Sequence, residues 1–236
     1  DRVMTFKLAV KTIAHKHGLH ATFMPKPIFG IAGSGMHINI SMAKDGKNVF
    51  CDESDKNGLS STAYSFIAGI MEHIKGMTAI TNPLVNSYKR LVPEFEAPVY
   101  IAWSAQNRSP LIRVPASRGQ GTRVELRSAD PSANPYLALA VTIAAGLDGV
   151  KRGLVPPPAV DGNIYSMSAA QRKKQKIEML PTSLECAIAE LKKDKLICNT
   201  LGEHILEKYI EAKELEWLNY KTRISQWEID EYLSKY

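Results

Sequence analysis

Two short stretches of the chain alternate in a way that gathers reactive side chains. From Met36 to Met42, a strand would put His37, Asn39 and Ser41 on one face and Met36, Ile38 and Ile40 on the other. From Arg123 to Arg127, it would put Arg123, Glu125 and Arg127 together, with Val124 and Leu126 behind them. If both polar faces line one cavity, that cavity holds an imidazole, a carboxylate, guanidiniums and a hydroxyl. His37 and Glu125 are competent ligands for Mg²⁺ or Mn²⁺. The arginines would hold an anionic substrate beside the metal. Such a set suits phosphoryl transfer, which needs charge neutralisation and in-line positioning. The same residues also suit a hydrogen-bonded structural histidine and a solvated strand face, and nothing local demands a metal.

Arginine is segregated toward these stretches. Lysine is absent between Lys89 and Lys151, while six of the ten arginines fall there: Arg90, Arg108, Arg113, Arg118, Arg123 and Arg127. Arginine's planar fork grips carboxylate or phosphate, whereas lysine serves as a solvated charge. The segregation therefore points to an anion-handling site in mid-chain. Its alternative is local pairing with Glu94, Glu96, Glu125 and Asp130. Gly33-Ser34-Gly35 allows a close backbone approach to a ligand or makes a plain turn, and it matches no phosphate-loop fingerprint. Asn86 to Pro98 carries Arg90, Glu94 and Glu96 between prolines, as a mobile flap or a solvated connection.

Elements must position these groups. Helical spacing runs over Asp1 to Lys16, closed by Gly18. Leu19 to Met24 reads as a short strand, and Asp45-Gly46 as a hairpin turn. A helix is predicted from about Ser61 to Lys75, with Asn82-Pro83 ending its extension. Ala97 to Arg127 is strand-like, broken by turns at Asn107–Pro110 and Ser117–Gly121. Asn134-Pro135 caps a helix so apolar all round, as far as Gly149, that burial is predicted. Past the stiff Leu154–Pro158 connector the chain reads as all-helical, with capping boxes at Ser168/Gln171, Thr182/Glu185, Thr200/Glu203 and Ser225/Glu228. With 236 residues, 44% apolar, the chain can bury a sizeable core. It has no run of apolar residues long enough for a membrane span. Its three scattered cysteines fit a reducing, cytoplasmic setting rather than a disulfide framework or a cysteine zinc site. A net charge of +6 fits an acidic small molecule or nucleic acid, or a missing acidic neighbour.

Four stretches taken in order resemble the C-terminal catalytic domain of type I glutamine synthetases, alpha subclass of Gram-positive bacteria. They are Lys26-Pro27 through Gly33-Ser34-Gly35-Met36-His37-Ile38-Asn39-Ile40-Ser41; Asn86-Ser87-Tyr88-Lys89-Arg90-Leu91-Val92-Pro93 with Glu96-Ala97-Pro98; Asn107-Arg108-Ser109 with Ile112-Arg113-Val114-Pro115; and Arg123 to Arg127 followed by Asp130-Pro131 and Ala133-Asn134-Pro135-Tyr136. The resemblance spans residues 1–236 and implies an α+β fold: a curved antiparallel sheet, a half-barrel or funnel, wrapped by helices, with 159–236 as a helical C-terminal region. It implies ATP-dependent ligation of ammonia to L-glutamate through γ-glutamyl phosphate, with two or more Mg²⁺ or Mn²⁺ ions per site.

By position, His37 and Glu125 correspond to metal ligands; Gly33, Arg90, Glu96, Arg108 and Arg127 to glutamate-holding groups; and Asn39, Ser41, Arg108, Arg113 and Arg123 to nucleotide contacts. Glu96, Arg108 and Arg127 correspond to the catalytic set, with Glu96 placed to accept a proton from ammonium. Ala32 and Asn39 depart from residues common in the family, asparagine and histidine, which removes one glutamate contact and weakens a nucleotide role for Asn39. The resemblance further implies a dodecamer of two hexameric rings, with a transcriptional repressor as partner in the alpha subclass. The remaining metal carboxylates of the family lie upstream of the segment seen here, so the isolated chain is expected to be catalytically silent. Two rivals share some of these features. One is a ligase of the same family joining glutamate to polyamines; the other is a non-enzymatic basic domain that binds nucleic acid.

Overall fold

The computed structural model describes residues 1–93, 95, 97–105, 107 and 109–236. Its elements run α1 (Arg2–Lys16), β1 (Ile38–Ile40), β2 (Ala43–Lys44), β3 (Lys47–Asn48), α2 (Ser61–Thr81), α3 (Ser87–Arg90), β4 (Tyr100–Ile101), β5 (Trp103–Ser104), β6 (Ile112–Arg113), β7 (Val124–Leu126), α4 (Pro135–Arg152), α5 (Ala169–Lys174), β8 (Glu178–Met179), α6 (Leu184–Lys193), α7 (Lys195–Leu201), α8 (Glu203–Lys221) and α9 (Gln226–Tyr232). The fold is α+β.

The central sheet has the order β1-β7-β6-β5. β7 pairs antiparallel with β1 and β6, while β5 joins β6 in parallel, so the sheet is antiparallel except at that edge. Alternation sorts the side chains as the sequence dictates. Ile38, Val124, Leu126 and Ile112 are buried in one core with Phe66, Ile67 and Ile70 of α2 and Ala138, Val141 and Ala145 of α4. α2 and α4 lie so close that three glycines meet across them. A Cβ on Gly69 would lie 2.2 Å from the Ala145 carbonyl oxygen, one on Gly149 2.1 Å from that of Ser65, and one on Gly146 2.2 Å from the Phe66 ring.

Several boundaries follow from local chemistry. Asp45 (φ 51°) and Gly46 (φ 75°) make the two-residue turn between β2 and β3. The Ser60 hydroxyl caps α2, which continues past Lys75 to Thr81. The Asn134 side chain accepts from the amides of Tyr136 and Leu137, with Pro135 in the first turn. The boxes at Ser168 and Ser225 form.

Other expectations are corrected. Leu19–Met24 joins no strand among the described residues and is not itself a strand. α4 is not buried all round: Tyr136, Leu139 and Ile143 are exposed, because α2 and α7 cover only its other side. Ser183, not Thr182, caps α6. Thr200 lies inside α7 and bonds back to the Leu196 carbonyl, so α8 starts at Gly202 without a side-chain cap. Region 159–236 is helical except for β8, which returns to pair with β4.

Candidate active site

Strand register brings the polar residues together. β6, β7 and β1 set Arg113, Glu125 and Asn39 in a row across the sheet, each opposite the next. His37 and Arg123 occupy the diagonals, within side-chain reach. His37 Nδ1 lies 2.9 Å from Glu125 Oε1. Arg113 Nε lies 2.5 Å from Glu125 Oε2 as an ion pair, without the alignment of a hydrogen bond. Arg123 Nε donates to Asn39 Oδ1 at 3.1 Å, and Arg123 also donates to the Gly121 carbonyl. Ser41 stands exposed beyond β1. Glu125 is 5% exposed at its side chain and the His37 imidazole 37%, so a buried carboxylate supports an accessible ring.

Arg90 reaches the same place from α3. It is 4% exposed; one terminal nitrogen donates to the Ser128 carbonyl at 2.5 Å and the other to the Arg127 carbonyl at 3.3 Å. Gly35 keeps room between this guanidinium and the imidazole. A Cβ there would lie 2.7 Å from an Arg90 terminal nitrogen and 3.2 Å from His37 Nε2. Gly33 is held just as tightly, since its Cβ would lie 2.3 Å from the Pro25 carbonyl oxygen and 3.2 Å from Arg90 Cγ. The glycines of this segment therefore serve close approach. Burial and the nearby Arg127 charge lower the His37 pKa; the Glu125 hydrogen bond opposes this, and Arg90 adds to the lowering. The net effect favours neutral imidazole, the form that ligates metal. With Nδ1–H directed at Glu125, Nε2 carries the lone pair. Burial likewise lowers the Arg90 pKa, against Asp130 and with Arg127, yet an arginine stays charged.

The structure thus brings together His37, Glu125, Arg113, Arg90, Gly33 and, through its charge, Arg127, with Asn39 and Arg123 alongside. Glu96 and Arg108 lie outside the described residues. Local pairing, the alternative for the arginines, applies to Arg113. Arg118 is a brace, donating to the carbonyls of Asn57 (2.6 Å), Ser117 and Pro115.

Two supports were not foreseen. Asn82, fully buried, donates to the Ser128 carbonyl (2.9 Å) and to Asp130 Oδ2 (3.0 Å), fixing the exit of β7. Asp130 also accepts from the Ser132 amide at 2.9 Å, a turn that the Asp-Pro-Ser spelling could have signalled. The other support is the ammonium of Lys26.

As to metal, an imidazole and a carboxylate in contact are the donor chemistry for Mg²⁺ or Mn²⁺, and the ring is 37% exposed. Two protein donors are a partial set, and no group of three or more histidine, cysteine or acidic side chains able to hold a metal occurs among the described residues.

A sheet that turns one carboxylate, one imidazole and several guanidiniums to a common face defines an α+β domain whose polar side is suited to anions. Comparison with known proteins narrows this. The family model described as "Glutamine synthetase, catalytic domain" matches residues 1–232, and the chain belongs to that family. It is 59% identical to a glutamine synthetase of Clostridium saccharobutylicum and 57% identical to one of Thermus thermophilus, in each case over 236 residues, all of this chain and 53% of the relative. The chain therefore spans about half the length of these curated relatives. Among solved structures, it superposes on GmaS without ligand with a TM-score of 0.86 and on a GmaS/ADP complex with a TM-score of 0.89, at 38% identity in both. It covers 98% and 99% of this chain, and 52% and 54% of theirs.

Proposed function

We propose that the protein containing this chain joins ammonia to L-glutamate, with cleavage of ATP to ADP and phosphate, to give L-glutamine. The observation that carries the reading is the meeting of His37, Glu125, Arg113 and Arg90, the imidazole and the Arg90 guanidinium packed close against Gly35. Relatives named glutamine synthetase at 54–59% identity support it. In this reading the glutamate side chain attacks the γ-phosphorus of ATP, ADP leaves, and ammonia then displaces phosphate from the acyl phosphate. Gathering these anions raises their mutual repulsion, which fixed guanidiniums offset without reorganising.

Arg90, Arg108 and Arg127, with the Gly33 backbone, hold glutamate; Arg108 and Arg127 also steady the moving phosphoryl. Asn39, Ser41, Arg113, Arg123 and Arg108 contact the nucleotide. Glu96 takes a proton from ammonium. His37 and Glu125 hold Mg²⁺ or Mn²⁺, which supplies charge neutralisation at the phosphates. Among the described residues these are two donors, so tight metal binding calls for further ligands. We further assign the protein to the cytoplasm, in keeping with three free cysteines and with no helix among the described residues long and apolar enough to cross a membrane. Assembly as two stacked hexamer rings is supported by the exposed aromatic end, where Trp227, Tyr232 and Tyr236 are open to contact.

The decisive experiment supplies the full-length protein with glutamate, ATP and either ammonia or a polyamine, and analyses the product. Glutamine formed from ammonia supports the proposal. γ-Glutamylpolyamine as the sole product would assign the rival ligase, and ATP-independent binding to DNA with steep salt dependence would favour the non-enzymatic rival.

A further inference from the structure

We propose that Lys26 is a positioning residue that fastens Asn86 and Phe95 to the glycine segment, so that these substrate-facing stretches are held together. The catalytic part of this rests on the ligase reading above.

A lysine is rarely buried without an acidic partner. Lys26 is 9% exposed, and among the described residues its ammonium meets no carboxylate. Instead the ammonium donates to the Ile31 carbonyl and sits 4.0 Å from the centre of the Phe95 ring. A carbonyl and a π-face thus replace its hydration. The Lys26 backbone is tied as firmly. Its amide donates to Asn86 Oδ1 at 2.8 Å, and Asn86 Nδ2 donates back to the Lys26 carbonyl at 3.0 Å.

The neighbour Pro25 accepts from the Ser34 amide at 2.8 Å and is the atom against which Gly33 rests. Pro25-Lys26 is therefore the shared support of Gly33–Gly35 on one side and of Asn86 and Phe95 on the other. A second tie lies just beyond Phe95, where the Tyr165 hydroxyl donates to the Ala97 carbonyl at 3.0 Å. Phe95 and Ala97 are the sequence neighbours of Glu96. Asn86 anchors the loop's start whatever residue stands at 26, since it binds backbone; of the groups of Lys26, the ammonium is the one that reaches Phe95. Removing the ammonium frees the Phe95 end while leaving the fold and the strand-borne nucleotide groups in place.

The test uses the full-length protein bearing Lys26→Met, Lys26→Arg or Phe95→Leu. Hydrogen exchange is read on peptides covering 91–98, and KM for glutamate is read against KM for ATP. Lys26→Met should speed exchange in 91–98 and raise the glutamate KM by about tenfold, while the ATP KM stays within about twofold. Lys26→Arg, which keeps a cation over the ring, should restore most of both. Phe95→Leu should reproduce part of the effect, and adding it to Lys26→Met should change little more. Unchanged exchange at 91–98 in Lys26→Met overturns the proposal, as do equal shifts in both KM values or effects of the two substitutions that simply multiply. If Lys26→Met does not fold, Phe95→Leu decides by the same exchange readout. If the wild-type protein makes no glutamine, the ligase reading falls, and hydrogen exchange still upholds or sinks the clamp.

Discussion

Substituting Gly69 by alanine sets two known effects against each other. Alanine is the better helix former by about 1 kcal/mol, and Gly69 sits inside α2, so propensity alone predicts a more stable protein. The space says otherwise. The new methyl would lie 2.2 Å from the Ala145 carbonyl oxygen and 2.7 Å from the Gly149 amide nitrogen, both backbone atoms that no rotamer change can move aside. Ordinary contact requires α2 and α4 to part by about 1 Å, which forfeits a quarter to a half of the dispersion energy along the seam. Overpacking of this kind costs about 1–3 kcal/mol, and the loosened seam adds to it. At the 2.2 Å approach to backbone the cost falls at the upper end of that range and the clash wins, with a net loss of about 1–2 kcal/mol and a fall in Tm of roughly 2–8 °C. Far-UV circular dichroism during heating reads this directly. Gly149→Ala should behave alike, and the double variant should lose less than the sum, since the helices part only once. A Gly69→Ala protein melting at or above the wild-type temperature would refute the backbone contact of α2 and α4.

Three further outcomes follow from the site and its surroundings. Glu125→Gln keeps the shape but removes the charge facing His37 and Arg113; Mn²⁺ affinity of the full-length protein, measured by calorimetry, should fall by about 10–100-fold. Arg90→Lys replaces a buried fork that binds two carbonyls, and should raise the glutamate KM about tenfold or more in steady-state assays while nucleotide binding holds. His73 bridges Asp194 (2.8 Å) and Asp148 (3.2 Å), joining α2, α7 and α4. The Asp194 bond raises its pKa, burial opposes this, and the Asp148 bond adds to the rise. Because the folded value is raised, the contribution is complete below the unfolded pKa of about 6.5 and is lost as pH climbs through the folded value. Denaturant titrations across that window should show stability declining with pH, and His73→Gln should flatten the decline.

Local chemistry made much of this legible. The Asp45-Gly46 turn, the Asn134-Pro135 cap and the boxes at Ser168 and Ser225 each depend on residues a few positions apart, and each formed. Alternation at 36–42 and 123–127 placed the polar groups on matching faces, and register then brought His37 to Glu125. What failed depended on distant partners. Leu19–Met24 has strand-like residues but pairs with no strand edge among the described residues. Glu178–Met179 looked like part of a helical run, yet it found such an edge in β4. The apolar circumference of α4 gave no hint that one side would stay open at Leu139 and Ile143. Lys26 was legible only as a motif letter, because an ammonium's burial cannot be read without knowing what lies above it.

The pairing of β8 with β4 has a practical corollary for cleavage. The chain that follows the proline connector is stitched back repeatedly: Val160 donates to the Trp103 carbonyl, Leu180 to that of Val99, the Trp103 indole to that of Pro157 and the Ser104 hydroxyl to Asp161. A tryptic nick at the exposed Lys173 and Lys174 would sever the polypeptide without freeing either piece. Two separately expressed segments meeting near that point should reassociate unaided, which makes the position a natural junction for split-protein complementation.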